Sequence, residues 1–159
     1  MTMELTTIVK NNLNITGIYN SFMDVTFKDL TLSNESINGS KFEKVVFENI
    51  YFYNCDFQAT DFTNCQFIDC KFINCNFSFS KMKNCSLIAC KIENCYFCIT
   101  NSLNCNFLSC TYINNTWSGS TQDGSFLNCH IETSELEQME NTGQHKVYYL
   151  SSTNQPRVA

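Results

Sequence analysis

Only two histidines, His130 and His145, occur in this 159-residue chain, both towards its C-terminal end. Neither stands in a recognisable nucleophile or metal motif. His130 follows Cys129, and neighbours along a strand face opposite ways, so no thiol–imidazole pair is set up. Catalysis needs convergent titratable groups, and the expectation is a protein that is not an enzyme, with no cofactor and no metal. Charge is scarce too. Charged residues make up 16% of the chain and the net charge is −5, which excludes a disordered polyelectrolyte and a basic nucleic-acid binder. No apolar run approaches the ~18 residues of a membrane span, and Met1 to Gly17 lacks the basic start and apolar middle of a secretion signal. The reading is of a cytoplasmic protein, or of a domain excised from a luminal or extracellular one, with no direct contact to nucleic acid or membrane.

What the chain has is a period of five. From Phe22 every fifth position to Trp117 is apolar except Ser102, and twelve of the fourteen phenylalanines lie in this row, among them Phe42, Phe47, Phe52, Phe57, Phe62, Phe67, Phe72, Phe77, Phe97 and Phe107. Five matches neither the 3.6 of a helix nor the 2 of a flat strand. It signals a chain that turns a corner every few residues and stacks on itself as a solenoid. Two residues before each member lies a smaller one, and residues two apart on an extended segment share a face, so both rows point inward.

Folding the pentads in fours, twenty residues per turn, sorts the small row into columns. Cys65, Cys85 and Cys105 form one, Cys70, Cys90 and Cys110 a second, Cys55, Cys75 and Cys95 a third, and Ser40, Thr60, Ser80 and Thr100 a fourth. Cysteines at this interval read as reduced thiols filling a core, not as a disulfide framework. Cys95 and Cys98 spell CxxC, yet Cys95 belongs to the inward row and Cys98 faces out, which makes Cys98 the thiol most open to reaction. Asn34, Asn54, Asn74, Asn94 and Asn114 form a further column. Asparagine tolerates turn geometry and stacked amides hydrogen-bond along a ladder.

Units centred on Phe or Leu, with Cys, Ser, Thr or Val two residues earlier and Asn before that, resemble the pentapeptide-repeat family over residues 20–117 and again over 124–138. The resemblance implies an all-β fold, a right-handed quadrilateral β-helix of about five coils plus a partial one. It also implies a non-catalytic scaffold that binds another protein, or itself, through an outer face or open edge. FYNCDF and FIDCKF are similar to units of quinolone-resistance-type members, which implies an alternative role as a DNA mimic bound to a type II topoisomerase. FEKVVFENIYFYNCDF and FLNCHIETSELEQ are similar to the luminal domain of synaptic vesicle glycoprotein 2, which implies a receptor-type domain. DNA mimicry needs a dense acidic exterior, and residues 20–117 carry nine acids against seven lysines.

The domain reading follows. Residues 1–19 are an N-terminal cap, 20–117 the β-helix, 118–123 a loop, 124–138 a last partial coil, and 139–159 a C-terminal cap and flexible tail, with an acidic helix over Glu132 to Glu140 and a closing strand in HKVYYL. The outward positions just after the central row hold Ile68, Ile73, Ile88, Leu103, Leu108 and Ile113, the expected partner surface, of which positions 68, 88 and 108 share one column. Lys71, Lys81, Lys83 and Lys91 read as a solvated face.

Overall fold

Each pentad builds one side of a square from three extended residues and one sharp corner. In Gln66-Phe67-Ile68 the middle side chain turns inward and its neighbours turn out. The next residue, Asp69, takes a left-handed φ of 52° and redirects the chain by a corner. Among the described residues twenty non-glycine positions adopt this conformation, Tyr19 to Asn128, and thirteen of them are Asn or Asp, the side chains that tolerate it best. That is the reason for the asparagine content.

A computed structural model describes residues 15–141 and 146–150. Residues 1–14, which hold most of the expected N-terminal cap, residues 142–145, which include His145, and the tail at 151–159 lie outside the described residues. The described chain is a β-solenoid of about six turns closed by one short helix. Coil one contains β1 (Ser21–Met23), β2 (Thr26–Lys28) and β3 (Thr31–Ser33), and coil two β4 (Lys41–Glu43), β5 (Val46–Glu48) and β6 (Tyr51–Tyr53). Coil three contains β7 (Asp61–Thr63), β8 (Gln66–Ile68) and β9 (Lys71–Ile73), and coil four β10 (Lys81–Lys83), β11 (Ser86–Ile88), β12 (Lys91–Glu93) and β13 (Tyr96–Cys98). Coil five follows with β14 (Asn101–Leu108), β15 (Thr111–Ile113) and β16 (Thr116–Ser118), then β17 (Thr121–Leu127), β18 (His130–Ile131), α1 (Thr133–Asn141) and β19 (Lys146–Leu150).

Among the described residues all ladders are parallel, and from β1 to β16 residues twenty apart face one another, as in Phe42↔Phe62 and Leu87↔Phe107. The first and second faces join into one sheet through the long β14, and the third face is a second sheet, β18-β15-β12-β9-β6-β3. The fourth face is held by isolated bridges, Ser36↔Asp56↔Asn76↔Tyr96, until β13 pairs β16 near the top.

The shaft is filled as the two inward rows require. Rings stack face to face between coils, Phe47 on Phe67 at 4.6 Å and 3°, and meet edge to face within a coil, Phe62 and Phe67 at 5.4 Å and 70°. Both arrangements are favoured by the ring quadrupole. The small row has a second duty. Each thiol donates to the carbonyl of the central residue in the coil below, Cys65 to Phe42, Cys70 to Phe47 and Cys90 to Phe67, all at 3.3 Å. Thr60 does the same to Ile37 at 3.1 Å and Thr100 to Phe77 at 2.7 Å. A buried carbonyl lone pair left bare is costly, so the position selects small side chains that carry a donor. Adjacent thiols and burial push Cys85 and Cys90 well above the ordinary thiol value, which keeps these sulfurs protonated and unreactive.

Above the all-phenylalanine coils the central residues shrink to Met82, Leu87 and Ile92, and then Ser102 breaks the row. Trp117 and Tyr112 restore some volume, but a void of about 20 Å³ remains beside Ser102. Ser102→Val fills part of it and is expected to raise stability by roughly 1 kcal/mol. Ser102→Phe, although it restores the row, overpacks so small a void and destabilises. Chemical denaturation of the two variants checks both directions.

Residues 118–123, expected as a loop, hold the end of β16 and the start of β17 instead. The coil has lost one residue, not gained a bulge: Ser102 pairs Gln122 twenty residues on, whereas Cys105 pairs Gly124 nineteen on. The shift brings Phe126 and Ile131 into the central row, both buried. α1 and β19 occur where an acidic helix and a closing strand were expected.

Candidate interaction surface

The structure divides the six residues chosen from sequence among three faces. Ile68, Ile88 and Leu108 form a continuous column on the second face. Ile73 and Ile113 lie on the third, separated by Glu93. Leu103 stands on the first, directly above Lys83. One stripe therefore exists, and Leu127 extends it above Leu108. Its members shield each other, since Ile68 and Ile88 are half-buried and Leu108 is 37% exposed.

A more exposed apolar surface lies at the corner between the fourth and first faces. Its column runs Tyr19, Gly39, Ala59, Phe79, Ile99 and Gly119, every one left-handed. Phe79 has φ 62° and is 50% exposed, and Ile99 has φ 53° and is 53% exposed. They occupy consecutive coils, tied by the Phe79 N–H to the Cys98 carbonyl at 2.9 Å. Tyr96, 54% exposed, stands on the same fourth face, and Leu103, 49%, follows on the adjoining one. Elsewhere most of these corners carry Asn or Asp, joined into amide ladders such as Asn84 to Asn64 at 3.3 Å and Asn104 to Asn84 at 2.9 Å. A β-branched residue in this conformation costs on the order of 1–2 kcal/mol. The signal was present in the sequence as apolar residues at positions 79 and 99, where the repeat elsewhere favours asparagine.

The other candidates are placed plainly. Cys95 is buried and Cys98 half-buried on the outside, so the CxxC pair does not converge. His130 is exposed, and its backbone N–H donates to the Cys110 carbonyl at 2.9 Å. Among the described residues no three His, Cys, Asp or Glu side chains are gathered to hold a metal ion. A groove of about 610 Å³ runs along the edge between the second and third faces. Its lining is of mixed sign, with Lys71 and Lys91 facing Asp29, Asp69 and Glu93, and Lys91 already paired to Glu93 at 2.5 Å. No helix among the described residues is long and apolar enough to cross a membrane.

Eight copies of the pentapeptide-repeat model match this chain, over residues 32–65, 50–87 and 60–97. The chain is a pentapeptide-repeat protein. No curated protein sequence matches it. Among solved structures it is similar to a trypsin-treated form of QnrB1, a plasmid-mediated fluoroquinolone resistance protein, at 21% identity with a TM-score of 0.49. That likeness covers 67% of this chain and 55% of the other, so the chain spans little more than half of that relative. It is also similar to HetL, a pentapeptide repeat protein involved in heterocyst differentiation regulation in the cyanobacterium Nostoc, at 8% identity, TM-score 0.39, covering 72% of this chain and 62% of that one. The pentapeptide-repeat assignment accounts for the square shaft. The outer surface is this chain's own.

Proposed function

We propose that this pentapeptide-repeat solenoid is a non-catalytic scaffold that takes a protein partner on the corner formed by Phe79, Tyr96 and Ile99, with Leu103 at its margin. The observation that carries the reading is the pair of strained, half-exposed apolar residues. In solution Phe79 and Ile99 gain nothing from water and lose conformational energy, whereas Asn would sit there unstrained and soluble. Strain of this kind persists at functional sites, and contiguous exposed apolar area marks contact. On the fourth face Asn76, Ser78, Cys98, Thr116 and Ser118 flank it without a charge, and on the first face Lys81 and Lys83 border it, which suits an apolar protein segment. The second-face stripe is a further surface of the same chemistry with less of it exposed.

The test separates binding from folding. Phe79→Asn with Ile99→Asn is expected to raise stability by about 1 kcal/mol per site as left-handed strain is relieved, while partner retention in a pull-down from the source organism drops at least tenfold. Undiminished retention by the double variant removes this corner as the binding site, and a parallel Ile88→Thr/Leu108→Thr variant then reports on the stripe.

A further inference from the structure

Inside the stack each corner N–H is taken by a carbonyl of the coil above, Asn74 by Glu93 and Asn94 by Ile113, both at 3.0 Å. Above Asn114 the chain turns into α1, and side chains take over. Glu132 Oε2 accepts the Asn114 N–H at 3.1 Å, Glu135 Oε1 accepts that of Asn115, and Gln138 Oε1 accepts that of Trp117 at 3.0 Å. Three acceptors spaced by three residues thus stand in for the carbonyl edge of a missing strand. Glu132 is half-buried and Gln138 is neutral, so both suit the task. Glu135 does not: it is fully buried, twenty residues above Asn115 in the Cys55, Cys75, Cys95 column, and its Oε2 has no hydrogen-bond partner. A buried carboxylate with one bare oxygen is an expensive acceptor where a peptide carbonyl would serve.

We propose that α1 is a proton-gated latch: with Glu135 neutral it lies docked over the upper edge of the solenoid, and with Glu135 ionised it lets go and uncovers the N–H groups of Asn114, Asn115 and Trp117. The uncovered groups form an open edge to which an extended segment can pair. Burial is the main cause that holds the Glu135 carboxyl up, at about 7, with the Asn115 hydrogen bonds opposing and Glu132 adding to the rise. The detached helix titrates at the ordinary 4.5. Between pH 4.5 and about 7 the detached form has lost a proton that the docked form keeps, so docking weakens by up to about tenfold per pH unit. Above about 7 both forms are ionised and the weakening levels off at roughly a hundredfold or more.

Among the described residues Glu135 is the one fully buried carboxyl. Glu132 lies just before α1 and Glu137 is exposed on it. β15 and β16 present Thr111, Tyr112, Ile113, Thr116, Trp117 and Ser118, without a charge; below them are the Cys95 thiol and the Lys91–Glu93 pair, and the His130 of β18 is exposed.

Trp117 is the chain's one tryptophan, stacked on Phe97 at 4.2 Å beneath the helix, so its emission reports docking. In the full chain, a pH titration from 5 to 9 is expected to shift Trp117 emission to the red while far-UV dichroism of the solenoid holds, and the protection of amides 133–141, taken relative to their intrinsic exchange rate at each pH, to fall at least tenfold. Glu135→Gln, which keeps a carbonyl for Asn115, is expected to stay docked across the range, and Glu132→Gln to keep the transition. A wild-type chain with no change over this range overturns the latch without recourse to a variant. So does an unaltered transition in Glu135→Gln.

Discussion

Replacing Phe67 by alanine is expected to cost roughly 3–5 kcal/mol, a large share of the 5–15 kcal/mol by which a domain is held folded. The ring is 1% exposed and touches phenylalanines on three sides, Phe47 below at 4.6 Å, Phe62 at 5.4 Å and Phe72 at 5.7 Å. Truncation leaves a void that the neighbours cannot close, because each is itself stacked on a ring in the next coil, Phe62 on Phe42 and Phe72 on Phe52. In a solenoid each coil is held by its two neighbours alone, so a cavity in the third coil also weakens coupling between the halves. The transition is therefore expected to broaden as well as shift. Lys81→Ala is the control, since that side chain is exposed, and its effect should lie within about 0.5 kcal/mol of zero. Guanidinium unfolding curves compare the two, and equal shifts would dismiss the shaft as the source of stability.

The same physics decides what was legible in the sequence. A ring at every fifth position has one place to go, and thiols and hydroxyls that sort into columns at a spacing of twenty announce a vertical stack before any coordinate is known. The corner conformation was visible in the Asn34 to Asn114 column because asparagine tolerates it. At Phe79 and Ile99 the backbone makes the same turn with side chains that resist it, so propensity hid the geometry, and only the apolar positions beside the central row stood out as a partner surface. Leu127 was missed because a single lost residue moves it off the twenty-residue interval while the ladder still pairs it with Leu108. Glu135 was hidden for the opposite reason. It keeps the interval above Asn115, but the chain reaches that point as a helix, and a rule learned on strands gives no warning that a carboxylate will take the part of a carbonyl.

Gly124→Ala is expected to detach everything above the fifth coil, at a cost of about 3 kcal/mol or more in the pairing of β14 with β17. Conformational freedom is not the reason, since Gly124 does not need a left-handed φ; the reason is space. The strand β17 has one residue fewer than the strand beneath it, and the chain absorbs the shortfall where Gly124 passes directly over Cys105. A Cβ at this position would fall inside the Cys105 carbonyl oxygen and crowd the carbonyl carbon and amide nitrogen of the same residue. All three are backbone atoms, fixed by ladders on either side, and cannot swing away as the tip of a side chain would. Gly119 offers the contrast: there an added Cβ meets only the Ile99 side chain at 3.4 Å, an ordinary contact, and the φ of 62° is the sole penalty, so Gly119→Ala should cost about 1 kcal/mol. Since the β14–β17 ladder continues upward into β19 through Asp123↔Lys146 to Leu127↔Leu150, its loss should also free the closing strand. Hydrogen exchange followed by mass spectrometry is expected to show residues 121–150 exchanging freely in Gly124→Ala while coils one to four keep their protection. A variant that retains protection over 121–127 would mean that the strands part without penalty, and the close approach at Gly124 would then have no structural weight.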